Sequence, residues 1–221
     1  MKRGVILLWL LFGINSLQAQ SPPLPVYVIT NDTSLFQEID SHFWQVFDDA
    51  SGKLTMKDLL QEPASLRFYE VQPGGSLDSG RASAHWIRFR IRNGMSRSAG
   101  ISFSTKSEMA DFYLFDNGRQ VAHLVTGKGY PWHKKDGMKK ANAVPWSLPA
   151  GKELLVYQRR FNERPDKLTV ETKIRLYNTE KLRTSEFNDY EEKFIEIPAI
   201  YTSFISGLLL LACIFNFLLF W

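Results

Sequence analysis

Two sets of side chains in the sequence have the residue types and spacing that ligand binding requires. The first set is Trp86, Arg88 and Arg90, which alternate along one stretch of chain. An indole ring can stack on a ligand, and guanidinium groups donate paired hydrogen bonds to anionic or hydroxyl groups. The alternative is that these cations pair with acidic residues on neighbouring strands and shield the sheet, which is a common arrangement. The sequence leaves both interpretations open.

The second set lies in a glycine-bounded loop, residues 127–135, that combines aromatic rings with cations. Its candidate ligand contacts are Tyr130, Trp132, His133 and Lys134. Aromatic faces stack on the apolar surfaces of sugars, and lysine or histidine can donate hydrogen bonds to hydroxyl or acidic groups. Loops on a rigid scaffold are also common binding sites. The alternative is a solvated loop whose aromatic residues cover the edge of the domain.

Residues suited to catalysis do not form a recognisable catalytic pattern. Asp48 and Asp49, and likewise Glu191 and Glu192, are adjacent, so their side chains point apart on a strand or helix. The four histidines lack the spacing of metal ligands, and the single cysteine is Cys213. Nucleophile elbows, phosphate loops and nucleotide fingerprints are missing from the sequence. We therefore expect no enzyme activity, no bound metal and no cofactor.

The elements that position these residues are predicted to be mainly β-strands. Residues 84–93 alternate with period two, which places Ile87, Phe89 and Ile91 on a core-facing side. The Asn117–Gly118 pair predicts a hairpin between strands at 111–116 and 121–125. Further strands are predicted at 26–29, 101–103, 143–148, 153–161 and 168–176, and a capping box at 55–58 begins a short helix. Short strands separated by turns predict a jelly-roll-like antiparallel β-sandwich.

The two ends of the sequence predict export and membrane insertion. Residues 1–20 have the charged start, the apolar run and the small residue of a secretory signal peptide, with an uncleaved anchor as the alternative. Residues 197–221 carry no charge, and at ~1.5 Å per residue a helix of that length would cover a hydrocarbon core of about 30 Å. We expect this segment to be a transmembrane helix.

Between these ends, the sequence predicts an extracytoplasmic domain and a connecting helix. Residues 21–178 are predicted to form the β-sandwich domain, and residues 179–196 a juxtamembrane amphipathic helix that runs into the transmembrane helix. The acidic residues just before residue 197 suit a non-cytoplasmic flank, so residues 21–196 are placed on the periplasmic side. The 44% hydrophobic content excludes a disordered chain, and a net charge of only +4 does not imply nucleic acid as a partner.

The order of several motifs resembles a family of bacterial receptors. These motifs are the 86–89 strand (Trp-Ile-Arg-Phe), the 117–118 turn, the Thr126–Gly127 pair and the 146–151 segment (Trp-Ser-Leu-Pro-Ala-Gly). Together they resemble the type 2 extracellular sensor domain of seven-transmembrane receptors with diverse intracellular signalling modules (7TMR-DISM). The chain departs from the family pattern in the loop after Gly127, where Lys134 and Lys135 stand near the place expected for an arginine.

The resemblance implies a jelly roll like those of carbohydrate-binding modules, which senses a ligand outside the membrane. It also implies a seven-helix membrane domain, of which residues 197–221 would be the first helix, and a cytoplasmic signalling module downstream. We therefore expect a ligand sensor in the bacterial inner membrane that binds a small extracellular ligand such as a carbohydrate and contacts membrane lipid. A homodimer is left open. The alternative is a membrane-anchored structural or protein-interaction module that does not signal.

Overall fold

The computed structural model describes residues 24–61, 68–71, 84–105, 107–161, 174–191 and 197–220. Its strands are β1 (Val26–Ile29), β2 (Phe36–Ile39), β3 (Trp44–Asp49), β4 (Tyr69–Glu70), β5 (Ala84–Asn93), β6 (Ala99–Ser104), β7 (Met109–Asp116), β8 (Arg119–Thr126), β9 (Ala143–Leu148), β10 (Glu153–Phe161) and β11 (Ile174–Asn178). Its helices are α1 (Met56–Gln61), α2 (Thr179–Glu191) and α3 (Ile197–Phe220), with short 3-10 turns at Ser41–Phe43 and Trp132–Lys134.

The strands form two sheets, which confirms the prediction of a mainly β, two-sheet fold. The first sheet has the order β4-β3-β5-β10-β7-β8, and β1 joins it as a parallel partner of β5. β5 lies inside this sheet because β10 covers one edge, while β3 and β1 share the other. The second, antiparallel sheet has the order β2-β11-β6-β9. The long alternating strand predicted at 84–93 is therefore confirmed and is central to the first sheet.

The main hydrophobic core lies between the two sheets. Ile87, Phe89 and Ile91 on β5 are fully buried there, as their alternation predicts. Phe103 of the second sheet stacks on Phe112 of the first, with ring centroids 5.6 Å apart. Burying a side chain of this size contributes about 1.5–3 kcal/mol, so this layer holds the two sheets together.

The predicted hairpin between β7 and β8 is confirmed. Asn117 and Gly118 both have positive φ, 49° and 78°, as a tight turn between twisted strands requires. Two other turns connect strands of different sheets. β9 and β10 are present as predicted, but they belong to different sheets, so the turn at 149–151 carries the chain across the sandwich. The Asn93–Gly94 turn does the same between β5 and β6.

The buried amide of Asn93 holds this corner. Its Nδ2 donates to the carbonyl of Leu148 at 2.8 Å and to that of Arg97 at 2.7 Å, while its Oδ1 accepts from the N–H of Met95.

The strand predicted at 168–176 is described only in part. β11 begins at Ile174, and residues 168–173 lie outside the described residues. Residues 36–49, before the first turn towards α1, form β2, a 3-10 turn and β3.

The helices occur where the sequence predicts them. The Asp58 carboxylate accepts from the N–H and hydroxyl of Thr55, which confirms the capping box before α1. α2 confirms the helix after 179 as far as Glu191, and on it Leu182 is buried while Phe187 is 59% exposed. α3 contains one stretch, Ile200–Leu219, that is long and apolar enough to cross a membrane. The predicted signal peptide and residues 192–196 lie outside the described residues, and the domain boundaries stay a prediction.

Candidate functional site

The outer face of the first sheet carries a cluster of polar and aromatic side chains. Asp111 and Tyr113 point to this face from β7, because they alternate with the core residues Phe112 and Leu114. Residues paired across strands share a face, so β10 adds Arg159 beside Asp111, and β8 adds His123 beside Tyr113. These four residues, together with Tyr130 from the loop after β8, are called the Asp111 cluster below.

The carboxylate of Asp111 is the centre of the cluster. The hydroxyl of Tyr130 donates to Oδ1 at 3.0 Å, His123 Nε2 lies 3.5 Å from the same oxygen, and Arg159 Nη1 lies 3.5 Å from Oδ2. Burial raises the pKa of the Asp111 carboxyl, but the hydrogen bonds from His123 and Tyr130 and the charges of His123 and Arg159 outweigh it, so the pKa lies below its ordinary value. The site therefore holds a buried negative charge at neutral pH.

An aromatic row runs beside this carboxylate. The His123 ring stacks on Tyr113 with a centroid distance of 4.3 Å, and Tyr113 stacks on Trp86 at 5.8 Å. The guanidinium of Arg159 lies 5.8 Å from the centre of the Trp86 ring, within the range of a cation–π contact. The cluster thus combines flat apolar faces with a fixed carboxylate and fixed hydrogen-bond donors.

The two tyrosines of the cluster are held in their neutral form. Burial and then the charge of Asp111 raise the pKa of Tyr113 to about 12. The same two causes, together with the hydrogen bond to Asp111, raise the pKa of Tyr130 well above its ordinary range. Both phenols therefore keep their protons at physiological pH, and each can act as a hydrogen-bond donor.

The loop after β8 places Tyr130 on Asp111. Gly127 has φ 125° and approaches the carbonyl of Glu108 so closely that an added Cβ would lie 2.4 Å from that oxygen. The N–H of Gly129 then donates to the same carbonyl at 2.6 Å. Beyond Tyr130, Trp132 is 63% exposed, and the ammonium of Lys139 lies 5.9 Å from the centre of its ring.

A comparison with family models matches the 7TMR-DISM extracellular 2 domain to residues 41–171, which is more than half of the chain. The chain belongs to this family. The resemblance carried by the sequence motifs is thereby confirmed. A search of curated proteins found no match. The family comprises extracellular sensor domains of membrane receptors, and together with the candidate span in α3 it indicates a membrane-anchored receptor domain.

Within this 7TMR-DISM domain, the three residues predicted on β5 lie in different environments. Trp86 is fully buried in a second, smaller core with Met56 and Leu59 of α1 and with Phe115. Its ring is therefore not exposed to solvent, and a role of Trp86 in ligand binding stays a prediction. Periodicity assigns Trp86 to the face opposite the main core but cannot show that α1 covers that face.

The two arginines on β5 have partners within the domain. Arg88 donates from Nε and Nη2 to Oε1 of Gln45, at 2.9 and 2.7 Å, and lies over the ring of Phe68 at 4.1 Å. Arg90 pairs with Glu153 on the adjacent strand. The pairing of Arg90 agrees with the interpretation in which the cations on this strand pair with acidic residues on neighbouring strands. A role of either arginine in ligand binding stays a prediction.

The loop residues lie in different environments. Tyr130 joins the Asp111 cluster, whereas Trp132, His133 and Lys134 are exposed on the 3-10 turn that follows. The sequence prediction did not include Asp111, Tyr113, His123 or Arg159. The register of the β7–β8 hairpin offered a signal, because it places a histidine beside a strand that alternates acid and aromatic residues.

Among the described residues, no group of three or more His, Cys, Asp or Glu could hold a metal ion.

Proposed function

We propose that this domain is the extracytoplasmic sensor of a bacterial inner-membrane receptor and that it binds a small carbohydrate. The ligand site is the Asp111 cluster together with the exposed turn at 131–134. The observation that carries the proposal is the buried, ionised Asp111 carboxylate beside a row of stacked rings. Membership of a family of receptor sensor domains supports the sensing role.

The chemistry of this site suits a sugar better than a strongly charged ligand. A carboxylate accepts hydrogen bonds from hydroxyl groups, and neutral tyrosines can donate to ring or hydroxyl oxygens. Asp111 is already neutralised by Arg159, so the cluster presents both donors and acceptors without a large excess of one charge. The exposed indole of Trp132 offers a flat face on which the apolar side of a pyranose can stack.

The proposed role is binding without chemistry. Glycoside hydrolysis requires two carboxyl groups on opposite sides of the bond to be cleaved, separated by about 5–9.5 Å. The Asp111 cluster contributes one carboxylate, and its charge is engaged by Tyr130, His123 and Arg159. In this proposal the chain is delivered by a cleaved signal peptide, anchored by α3 among membrane lipids, and followed by a cytoplasmic signalling module.

The test is a glycan array probed with the full chain in detergent micelles, followed by calorimetry with each sugar that binds. We expect Trp132→Ala and His123→Ala to weaken binding at least tenfold, because each removes a ring face from the site. The matched controls are Phe36→Ala and His42→Ala, which remove an aromatic ring and an imidazole elsewhere on the domain.

The possible results separate the alternatives. Sugar binding that survives both site variants would place the ligand site elsewhere and overturn the assignment to the Asp111 cluster. If the array and a thermal-shift screen of small metabolites both gave no ligand, the sensing proposal would fail. The remaining interpretation would then be an anchored structural or protein-interaction module.

A further inference from the structure

We infer that residues 127–142, called the connecting loop, mechanically couple the Asp111 cluster to the direction of α2. The loop begins at the cluster with Tyr130 and ends on α2 at Glu186. The inference rests on the proposed function, since it describes how ligand binding at that site would change the direction of α2, the helix that precedes α3. It assigns roles to Tyr130 and Glu186 as the two ends of one coupling element.

At its cluster end, the connecting loop is bonded to the carboxylate that a ligand would contact. The hydroxyl of Tyr130 reaches Asp111 across nineteen residues of sequence. A ligand hydroxyl that donates to Asp111 competes with this phenol for the same carboxylate oxygen. Binding would therefore displace Tyr130 from Asp111 and shift the loop at its first turn.

The middle of the connecting loop is bonded to the adjoining ends of β8 and β9, which makes it stiff. Asp136 and Val125 exchange two hydrogen bonds, at 2.8 Å between Asp136 N and Val125 O and at 2.7 Å between Val125 N and Asp136 Oδ2. Met138 and Ala143 exchange two more, at 2.8 and 3.1 Å. At Gly137 an added Cβ would lie 2.5 Å from Pro145, so the backbone there packs tightly against β9.

The far end of the connecting loop is bonded to α2 at Glu186. The N–H of Ala141 donates to Oε1 of Glu186 at 2.6 Å. Nearby, Lys135 donates from Nζ to Oδ1 of Asn142 at 2.9 Å, which ties the last residues of the loop to its middle. The side chain of Glu186 is therefore attached to a loop whose other end lies in the candidate ligand site.

The start of α2 is attached separately, to the second sheet. Asn178 caps the helix by accepting from the N–H of Lys181 at 2.9 Å and donates to the carbonyl of Asp32 at 2.9 Å. The hydroxyls of Thr179 and Ser102 lie 2.9 Å apart. These contacts make the first turn of α2 a pivot, and the bond to Glu186 two turns later sets the direction in which the helix leaves the domain.

This arrangement gives a lever of known length. Asn188 lies nine residues beyond Thr179, so at ~1.5 Å per residue it is roughly 13 Å from the pivot, and a swing of about 20° would move it by about 5 Å. Coupling of this kind is reciprocal, so a change at Glu186 must also alter the Asp111 cluster.

The test measures the direction of α2 by electron–electron distance spectroscopy on the full chain in lipid nanodiscs. Spin labels are placed on cysteines introduced at Asn188 and at Ser147 on β9, both exposed, in a Cys213→Ser background. No ligand is added. Tyr130→Phe, which removes only the hydroxyl that reaches Asp111, serves as the perturbation of the site. Failure of the coupling is therefore distinguishable from failure of sugar binding.

We expect Tyr130→Phe and Glu186→Ala each to broaden or shift the distance distribution, by about 5 Å if the helix swings by about 20° on the lever given above. The double variant should add little to either single change. Glu186→Gln keeps an oxygen acceptor and should restore the parent distribution, and Glu180→Ala, a glutamate in the first turn of the same helix, should leave it unchanged.

Two results would overturn the inference. If Glu186→Ala leaves the distribution as in the parent, the bond to Ala141 does not set the direction of α2. If Glu186→Ala broadens the distribution but Tyr130→Phe does not, the connecting loop does not carry a change from the Asp111 cluster to the helix.

Discussion

The imidazole of His123 lies parallel to the phenol ring of Tyr113, with ring centroids 4.3 Å apart and 6° between their planes. The same imidazole places Nε2 3.5 Å from a carboxylate oxygen of Asp111. His123 on β8 thus contacts both Asp111 and Tyr113, which lie two positions apart on the same face of β7. The bridge fixes the relative positions of the ring row and the carboxylate, which is what a pre-organised binding surface requires.

Replacing Asp111 with asparagine should destabilise the domain by about 1–3 kcal/mol at pH 7, because buried donors lose a charged acceptor. The pKa of Asp111 is lowered in the folded state. The stabilisation by its charge is therefore present above the ordinary value of 3.8 and is lost as the pH falls through the lowered pKa. Urea unfolding of the full chain in detergent between pH 2 and 7 measures this.

The control for that experiment is Asp116→Asn. The carboxylate of Asp116 lies 3.7 Å from Lys152 Nζ, which is longer than the contacts of Asp111, and it is more exposed than the carboxylate of Asp111. We expect the parent chain and the Asp116→Asn variant to lose stability in parallel on acidification, and the Asp111→Asn variant to lose less. Equal acid sensitivity in all three chains would contradict the assignment of a stabilising charge to Asp111.

The phenol of Tyr113 should ionise only near pH 12, because burial and then the charge of Asp111 raise its pKa to about 12 from 10.0. A raised pKa means that the stability gained from the neutral phenol is complete below pH 10 and is lost as the pH rises through about 12. Carbon-13 NMR of labelled tyrosine, assigned with Tyr113→Phe, measures the value. In Asp111→Asn the pKa should fall below 12, whereas an unchanged value would attribute the whole shift to burial.

Two tryptophans of opposite burial give a direct test of the second core. Trp86 is fully buried beneath α1, and Trp132 is 63% exposed. Trp86→Ala should cost about 3–5 kcal/mol of the free energy of unfolding, because it leaves a large cavity. Trp132→Ala should change stability by less than about 0.5 kcal/mol. Chemical denaturation of both variants measures the difference, and similar costs would contradict the burial of Trp86.

The parts of the fold that local patterns encode were predictable from the sequence. The alternation of Ile87, Phe89 and Ile91 gives β5 and its core face, and Asn117–Gly118 gives the hairpin because few other pairs adopt its backbone angles. The capping box at 55–58 is similarly local. Each of these signals depends on neighbours within a few residues, where backbone sterics and hydrogen bonding act without help from the rest of the chain.

The candidate site depends on contacts between distant residues. Asp111 and Tyr130 are nineteen residues apart, and β10, which supplies Arg159 to the cluster, is further still. The period of a strand shows that Trp86 opposes the main core but cannot show that α1 covers it. Likewise, the turn at 149–151 looks like a hairpin in sequence, because turn chemistry does not reveal which sheet the next strand joins.

Gly127→Ala should destabilise the domain more than Gly151→Ala. Both glycines have positive φ, 125° and 71°, so each alanine variant must adopt a backbone conformation that costs an L-residue about 1–3 kcal/mol. At Gly151 a Cβ meets nothing within 4 Å, whereas at Gly127 it would lie 2.4 Å from the carbonyl oxygen of Glu108. The loop must move to relieve that clash, and the hydroxyl of Tyr130 moves away from Asp111 with it.

The Gly127→Ala variant should therefore show a second effect that Gly151→Ala lacks. The hydrogen bond to Asp111 contributes to the raised pKa of Tyr130, so this pKa should fall in Gly127→Ala and stay as in the parent in Gly151→Ala. Chemical denaturation gives the stability difference, and the tyrosine NMR titration gives the pKa. If the two alanine variants matched in both measurements, the close approach of Gly127 to Glu108 would not be what places Tyr130 on the carboxylate.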